Sequence, residues 1–330
     1  MSRIAVLGAG AWGTALALSL SRQQRHEITL WAHTPSHAVA MQQTRENAQF
    51  LPGFALPDNI QITDSIEDAV LSANILLVVT PSAYLPELAA RIAPILRQDH
   101  VFVSAAKGIE DVSFRLMSEV VAAITPIPFA ALGGPSFAHE VAAALPTAVT
   151  LATRNTELAQ RLRHDFSSES LRVYTNDDVV GVELGGALKN VIALASGIVA
   201  GLELGQNASA ALITRGMAEI TRLAVACGAR PETMAGLAGY GDLVLTCTGS
   251  LSRNRTVGIE LGRGRALPEI IASLNGKVAE GIRCTSAALG LAKRHGIEMP
   301  ITLEMQGILH EGRSPRDAIR ALMTRPGRDE

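Results

Sequence analysis

Cysteine is scarce: Cys227, Cys247 and Cys284 are the three in the chain. An odd number at wide spacing fits neither a disulfide framework nor a metal-ligand pattern, and suits idle or buried thiols in a reducing compartment. Aromatic residues make up 4 % of the sequence, too few for base-stacking platforms. Neither sign of charge dominates, since the formal net charge is −2. Such a balance gives no general attraction to nucleic acid or to an anionic membrane surface. Arg263 and Arg265 form a local pair that reads as a solvated face. The eight histidines lack metal-ligand spacing and His139-Glu140 belongs to no HExxH motif, so no metal is expected. The longest apolar run in the later part of the chain, Val191 to Leu202, has twelve residues, whereas a membrane span needs about 20.

What is present is apolar bulk and glycine in patterned places. With 330 residues, 48 % of them hydrophobic, the chain can fill two ordinary domains of about 150 residues each. Near its start, Ile4-Ala5-Val6-Leu7 reads as a short buried strand, Gly8, Gly10 and Gly13 form G-x-G-x-x-G, and helix formers run from Thr14 to Leu20. This is the strand–turn–helix setting of a dinucleotide fingerprint. Gly8 permits the tight turn, Gly10 lets a pyrophosphate approach the backbone, and Gly13 lets the helix pack close to the strand. The helix start offers free N–H groups and a positive dipole end. The same uncharged stretch, after Arg3 and with Ala15-Leu16-Ala17 as a cleavage site, also has the outline of a secretory signal. Three glycines at fingerprint spacing and a second strand, Ile28-Thr29-Leu30-Trp31, favour a mature cytoplasmic N-terminus that binds a dinucleotide.

Strand-like stretches occur at 4–7, 28–31, 75–79, 101–104, 129–132, 147–151 and 171–174. Between them lie helical stretches at 13–24, 35–46, 65–72, 83–96, 112–124 and 155–165, while 49–59 reads as a loop. This alternation implies a mainly parallel sheet covered on both faces, with ligands at the carboxyl ends of its strands. The loops carrying Lys107-Gly108 and Gly133-Gly134-Pro135-Ser136 follow strands and fall on that side. Past Asn176-Asp177-Asp178, a good helix N-cap cluster, strand alternation stops. Helical runs follow at 178–203, 207–227, 230–237, 253–261, 266–275, 284–295, 301–310 and 314–323. The expected architecture is α/β: an N-terminal doubly wound, mainly parallel sheet (1–178) and a C-terminal all-α domain (179–330).

Four places can carry chemistry. Lys189 sits in Gly185-Gly186-Ala187-Leu188-Lys189-Asn190, on a long apolar helix whose other charge is Glu183. It either snorkels to solvent or faces a cleft, where burial would lower its pKa toward that of a general base. Periodicity alone favours a structural lysine. Asp242, among Gly239, Tyr240 and Gly241, is either a carboxylate approached closely by a ligand or an ordinary helix cap or turn. Ser252-Arg253-Asn254-Arg255 opens a helical run, with Ser252 as N-cap. It reads as a phosphate site at a helix start or as a solvated basic turn. Lys107 points into the sheet-end crevice or is a surface lysine.

Taken in order, these motifs resemble the bacterial-type NAD(P)-dependent sn-glycerol-3-phosphate dehydrogenase family. The resemblance runs from Gly8 to about Ile301. It rests on Gly8-Ala9-Gly10-Ala11-Trp12-Gly13-Thr14-Ala15, Asn47 with Phe50-Leu51-Pro52, Lys107-Gly108, Gly134-Pro135-Ser136-Phe137-Ala138, Gly185 to Asn190, Gly241 to Thr246, Ser252 to Arg255, and Val278-Ala279-Glu280-Gly281. It implies a Rossmann-type first domain and Lys189 as proton acceptor. It also implies Lys107, Gly134, Ser136, Lys189, Asp242, Ser252, Arg253 and Asn254 as substrate-binding residues. Gly8, Gly10, Ala11, Trp12, Gly13, His33, Lys107, Ala138, Arg253, Val278 and Glu280 are implied as cofactor-binding residues. Many members have Ser where Ala11 stands, which leaves only a backbone contact there, and many have Thr or Asn where Cys284 stands.

The implied activity interconverts sn-glycerol 3-phosphate and dihydroxyacetone phosphate with NADP or NAD, for phospholipid synthesis, in the cytoplasm, with a homodimer as the expected assembly. The second strand ends Trp31-Ala32-His33-Thr34-Pro35, without the acid that holds the ribose 2′-hydroxyl in NAD-specific sites. Use of both cofactors, with NADPH somewhat favoured, is expected, since no arginine adjoins His33 and Thr34. A dehydrogenase for another small hydroxy acid would share the glycine turn and a lysine but not need Ser252–Arg255. A non-catalytic NAD(P)H sensor would need neither Lys189 nor Asp242.

Overall fold

Alternate side chains of the first strand feed two different apolar layers. In a computed structural model that describes residues 2–274 and 279–327, β1 (Ser2–Leu7) points Ile4 and Val6 into a cluster with Leu16 and Leu20, whereas Ala5 and Leu7 join Ile66, Val70, Leu85 and Ile92. A strand buried on both faces is what a parallel sheet with helices on each side requires. The chain divides into two units: residues up to Gly108 with Arg115–Glu183, and Ile109–Phe114 with the chain from Leu184 onward.

The first unit runs β1, α1 (Ala11–Ser21), β2 (His26–Trp31), α2 (Pro35–Thr44), β3 (Ile60–Thr63), α3 (Ile66–Ser72), β4 (Ile75–Val78), α4 (Leu85–Ile92), β5 (Val101–Ser104), α5 (Met117–Ile124), β6 (Phe129–Gly133), α6 (Ala138–Ala142), β7 (Thr147–Ala152), α7 (Thr156–Phe166) and β8 (Leu171–Asn176). The eight strands lie in the order β3-β2-β1-β4-β5-β6-β7-β8. All neighbours are parallel except β6 and β7, with Ile4 opposite both Ile28 and Ile75. The order reverses between β1 and β4, the switch point at which doubly wound sheets bind ligands.

The seven expected strands are present, each end within two residues of its expected place. The sequence reading did not include β3. Its four residues carry two isoleucines alternating with Gln61 and Thr63, too short a pattern to stand out beside the preceding loop. Residues 83–96 form α4 flanked by two short 3-10 turns, because Pro94 cannot continue an α-helix. The expected helix 112–124 begins only at Met117, since the left-handed backbone at Phe114 (φ +56°) cannot lie within a right-handed helix; Asp111 pairs with Arg283 and the Phe114 ring lies under the Arg294 guanidinium, 5.4 Å away.

The second unit contains α8 (Val179–Gly201), whose first turn groups with the first unit, then α9 (Gly205–Ala226), α10 (Pro231–Ala235), a π turn at Leu237–Gly241, α11 (Asp242–Thr248), α12 (Arg253–Gly262), α13 (Leu267–Ser273), α14 (Glu280–His295), α15 (Pro300–His310) and α16 (Pro315–Met323). By length and composition alone α8 could cross a bilayer, unlike the twelve-residue run considered from sequence. Its apolar window is 89 % buried within the protein, as in a core helix. Glycines let α12 lie directly against it. A Cβ at Gly258 would stand 2.0 Å from the Leu194 carbonyl oxygen, and one at Gly197 would stand 2.1 Å from that of Arg255. Elsewhere in this unit the Glu219 carboxylate, 1 % exposed, accepts the amides of Ile301 and Thr302 at 2.9 Å and so caps the start of α15.

Glu183, on the first turns of α8, accepts the Ser118 amide at 2.8 Å and the Ser118 hydroxyl, anchoring the start of α5. Burial pushes its carboxyl up to about 7, opposed by the Ser118 bonds and aided by nearby Glu119. A folded-state value above the unfolded one adds stability that is fully present below about pH 4 and lost as pH rises through 7. Glu183→Gln should therefore flatten the melting temperature between pH 5 and pH 8, where wild type loses up to about 3 kcal/mol. Parallel profiles for the two proteins would count against a raised Glu183. Gly258→Ala should push α12 off α8 at a cost of about 1–3 kcal/mol. Thermal melting would read this as a fall of several degrees, and an unchanged midpoint would contradict the close approach.

Candidate active site

The turn after β1 is shaped by what surrounds its glycines. Gly8 has φ +130°, a region that disfavours a side chain, and a Cβ there would touch the Val79 carbonyl at 3.0 Å. A Cβ at Gly13 would lie 1.9 Å from the Gly8 oxygen, so glycine is what lets α1 start this close to β1. At Gly10 the opposite holds, with no atom within 4 Å of the missing Cβ. Gly10 is also the N-cap of α1 and has no side-chain cap, so the amides of Ala11 and Trp12 begin a helix at an open cradle. The Trp12 indole N–H and the Thr80 hydroxyl, just past β4, are buried without a hydrogen-bond partner among the described residues. A cradle open at Gly10 and two orphaned polar groups fit a dinucleotide's polar groups. His33 is exposed one residue past Ala32, its ring 5.7 Å from that of Trp31.

Two loops of the same unit converge on one carbonyl. The Lys107 ammonium donates to the Gly134 oxygen at 3.1 Å, and the Ser136 hydroxyl donates to it at 3.0 Å. Three residues expected to bind substrate are thus brought together at the ends of β5 and β6. Ala138 opens α6, a five-residue helix absent from the sequence reading.

In the second unit Lys189 is 6 % exposed and Asp242 is fully buried. Lys189 Nζ donates to Asp242 Oδ1 and, at 2.8 Å, to Thr246 Oγ1. The Thr246 hydroxyl proton is spent on the Asp242 carbonyl at 2.6 Å, which leaves its oxygen to accept from Lys189. The pairing matches one buried cation with one buried anion, without which either charge would be costly. Local backbone explains how they meet. Gly185 lies one turn before Lys189, and a Cβ there would stand 2.4 Å from the Ala238 oxygen. Glycine at 185 therefore lets the π turn reach α8 and deliver Asp242, the first residue of α11. Of the alternatives open from sequence, Lys189 is buried in a specific pair and Asp242 begins a helix.

Ser252 caps α12, its hydroxyl accepting the Arg255 amide at 3.3 Å. The Arg253 and Asn254 amides lie at the open, positive end of that helix. Loss of hydration lowers the Arg253 guanidinium from its usual value, against the opposing pull of the Glu280 carboxylate at the start of α14. Asn254 is buried and both ends of its carboxamide are engaged: it donates to Asn190 Oδ1 at 2.9 Å and accepts the Gly281 amide at 3.0 Å. It joins the starts of α12 and α14 to α8. Val278, expected to contact a cofactor, lies outside the described residues.

Sequence reasoning did not assign Thr246 or Asn190. The signal for Thr246 was the four-residue spacing from Asp242, which shares a face only if that stretch is helical. Gly236, Gly239 and Gly241 obscured the helix. Asn190 gave no signal of its own, because its partner is 64 residues away. Burial pushes the Cys247 thiol up to about 12, with Lys189 and Arg255 opposing, and also raises that of Cys284. Both thiols are buried, which disfavours the thiolate a nucleophile needs. Among the described residues no three His, Cys, Asp or Glu side chains are grouped to hold a metal ion.

In chemical terms, the first unit offers a phosphate cradle and the second a buried ammonium beside an anion-ready helix start. Comparison with known proteins agrees with that combination. The family model "NAD-dependent glycerol-3-phosphate dehydrogenase N-terminus" matches residues 3–159, and its C-terminal counterpart matches residues 178–320. The chain is 56 % identical to a glycerol-3-phosphate dehydrogenase [NAD(P)+] of Koribacter versatilis, covering 100 % of this chain and 99 % of that protein. It is 55 % identical to one of the same name from Acidobacterium capsulatum, over all of both chains. A crystal structure of glycerol-3-phosphate dehydrogenase from Coxiella burnetii superposes with a TM-score of 0.95 at 42 % identity, covering 98 % of this chain and 99 % of that one. By these matches, over both units, the chain belongs to the NAD-dependent glycerol-3-phosphate dehydrogenase family.

Proposed function

We propose that the protein interconverts sn-glycerol 3-phosphate and dihydroxyacetone phosphate with NADP(H) or NAD(H), supplying glycerol 3-phosphate for phospholipid backbones. The observation that carries this reading is the buried Lys189 ammonium held between Asp242 and Thr246, in a chain that also has an open glycine cradle. When bound, the nicotinamide cofactor supplies or takes up the hydride exchanged at substrate C2. Lys189 passes the proton to or from the C2 oxygen, with Asp242 and Thr246 fixing the position of Nζ. Arg253 and the amides at the start of α12 hold the substrate phosphate, since a helix N-terminus with a guanidinium is a favourable anion site. Asn254 and Ser252 act on that phosphate by shaping the helix start. Lys107 and Ser136 fix the Gly134 loop on the cofactor-binding unit, and Ala11, Trp12, Ala138 and Glu280 complete the cofactor contacts.

Gly8, Gly10 and Gly13 serve the pyrophosphate. No carboxylate stands in Ala32-His33-Thr34-Pro35, where an NAD-specific site has its acid, and His33 with Thr34 can donate to a 2′-phosphate. Both cofactors are therefore accepted, with NADPH favoured. Residues 1–178 act as the dinucleotide-binding domain and 179–330 as the substrate domain. A cytoplasmic setting suits three widely spaced thiols, and the expected assembly is a homodimer.

Dihydroxyacetone phosphate should support NADPH oxidation and unphosphorylated dihydroxyacetone should not, because the start of α12 is suited to a phosphate. Equal turnover of the two would sink this reading in favour of another hydroxy acid. Lys189→Met should lose about 10²–10⁴-fold in kcat while NADPH affinity holds. Near-wild-type kcat in that variant would leave Lys189 with a structural role alone.

A further inference from the structure

The loop after α2 reaches back to the glycine turn through one side chain. Asn47 is fully buried, two residues past Arg45, where the left-handed backbone (φ +52°) ends α2. Its Nδ2 donates to the Ala9 carbonyl at 2.9 Å and to Thr14 Oγ1 at 2.7 Å. Its Oδ1 accepts the Phe50 amide at 3.2 Å and lies 3.0 Å from His37 Nε2. Two donors and two acceptors exhaust a carboxamide, and the arrangement requires the His37 tautomer that carries its proton on Nε2. A side chain buried at this depth with every polar site matched has one orientation, because any rotation leaves buried groups unpaired.

That orientation bears on the cradle. In a trans peptide the carbonyl of one residue and the N–H of the next point in opposite directions, and the described residues contain no cis bond. Holding the Ala9 oxygen toward Asn47 therefore turns the Gly10 N–H the other way. A Cβ at Gly10 would meet no atom within 4 Å, so a ligand can come close to this peptide. We propose that Asn47 is a positioning residue for the cofactor: by gripping the Ala9 carbonyl and Thr14 it aims the Gly10 N–H at the pyrophosphate and keeps it there before binding. Asn47 touches no reacting atom. It acts through the Ala9–Gly10 peptide, and His37 on α2 and Phe50 hold it in place. The inference rests on the reading of this turn as the dinucleotide site.

Asn47→Asp separates positioning from folding. It keeps an oxygen to accept from Phe50 and His37 but sets a carboxylate oxygen against the Ala9 carbonyl. Fluorescence titration with NADPH, alongside thermal melting and steady-state constants for dihydroxyacetone phosphate, reads the result. The expected outcome is NADPH affinity weakened roughly 10- to 100-fold, with kcat at saturating NADPH and the substrate KM within about threefold of wild type and cooperative melting retained. A general structural role would move all constants together, and that result, or unchanged NADPH affinity, overturns the proposal. Wild type that fails to bind NADPH would sink the dinucleotide reading as well, so the two failures are distinguishable. A second measurement needs no variant: in glycine-selective ¹⁵N-labelled wild type, the Gly10 amide resonance should shift on NADPH addition more than that of Gly53, which lies in the loop after Asn47. A Gly10 amide that does not respond also overturns the proposal.

Discussion

One buried ion pair sets most of the constraints on the second unit. An ammonium and a carboxylate removed from water are tolerable only when each faces the other and the remaining polar sites are filled. Lys189 meets that condition through Asp242 and Thr246. Three elements must then be held in register: α8 for the lysine, the π turn for its approach, and α11 for the acid and the hydroxyl. The local rules of helix formation are bent to achieve it. After an extended Gly236 ends α10, the π turn leads straight into α11 at Asp242, and π turns are found frequently at functional sites.

Glycine is the material of that register. At 185, 197, 201, 258 and 262 a side chain would collide with a neighbouring backbone. The helices approach so closely that contact is backbone to backbone rather than side chain to side chain. This rigidity is useful for chemistry, since proton and hydride transfer depend on distances that a loosely packed helix pair would not hold. The same closeness carries α12 with its anion-ready start, and Asn190 to Asn254 adds a directional bond to the steric one. In the first unit the same residue type does different work: Gly8 takes a backbone conformation others avoid, and Gly10 leaves room for a ligand.

Asn47 and Glu183 show a second strategy, in which a buried polar side chain secures a neighbouring element's backbone. Asn47 grips a turn and Glu183 a helix start. Glu219 does the same for α15. Each satisfies groups that helix ends and turns leave unpaired, and each would be expensive to lose because its partners are buried with it. The raised value of Glu183 is the electrostatic consequence of using a carboxylate in that way.

The sequence by itself determined what depends on neighbours in the chain. Apolar runs such as Ile75–Val78 and Val101–Val103 are strands because short runs of consecutive buried residues suit a sheet covered on both sides, and G-x-G-x-x-G states a turn because glycine is what its first and third positions tolerate. Ser252 reads as a cap from its place before a helix. These are short-range effects, and they sufficed for seven of the eight strands, the change to helices after residue 178 and the tight glycine turn. Tertiary structure decided what depends on residues far apart. Lys189 could have reached solvent until Asp242, 53 positions later, was seen beside it. Asp242 could have been a cap until its helix emerged from a glycine-rich stretch. Asn47 became a clamp only when Ala9 and Thr14, more than 30 positions earlier, were found at hydrogen-bond distance. Spacing along a chain encodes which face a residue occupies, whereas which other face it meets follows from packing, and packing is settled by the whole core at once.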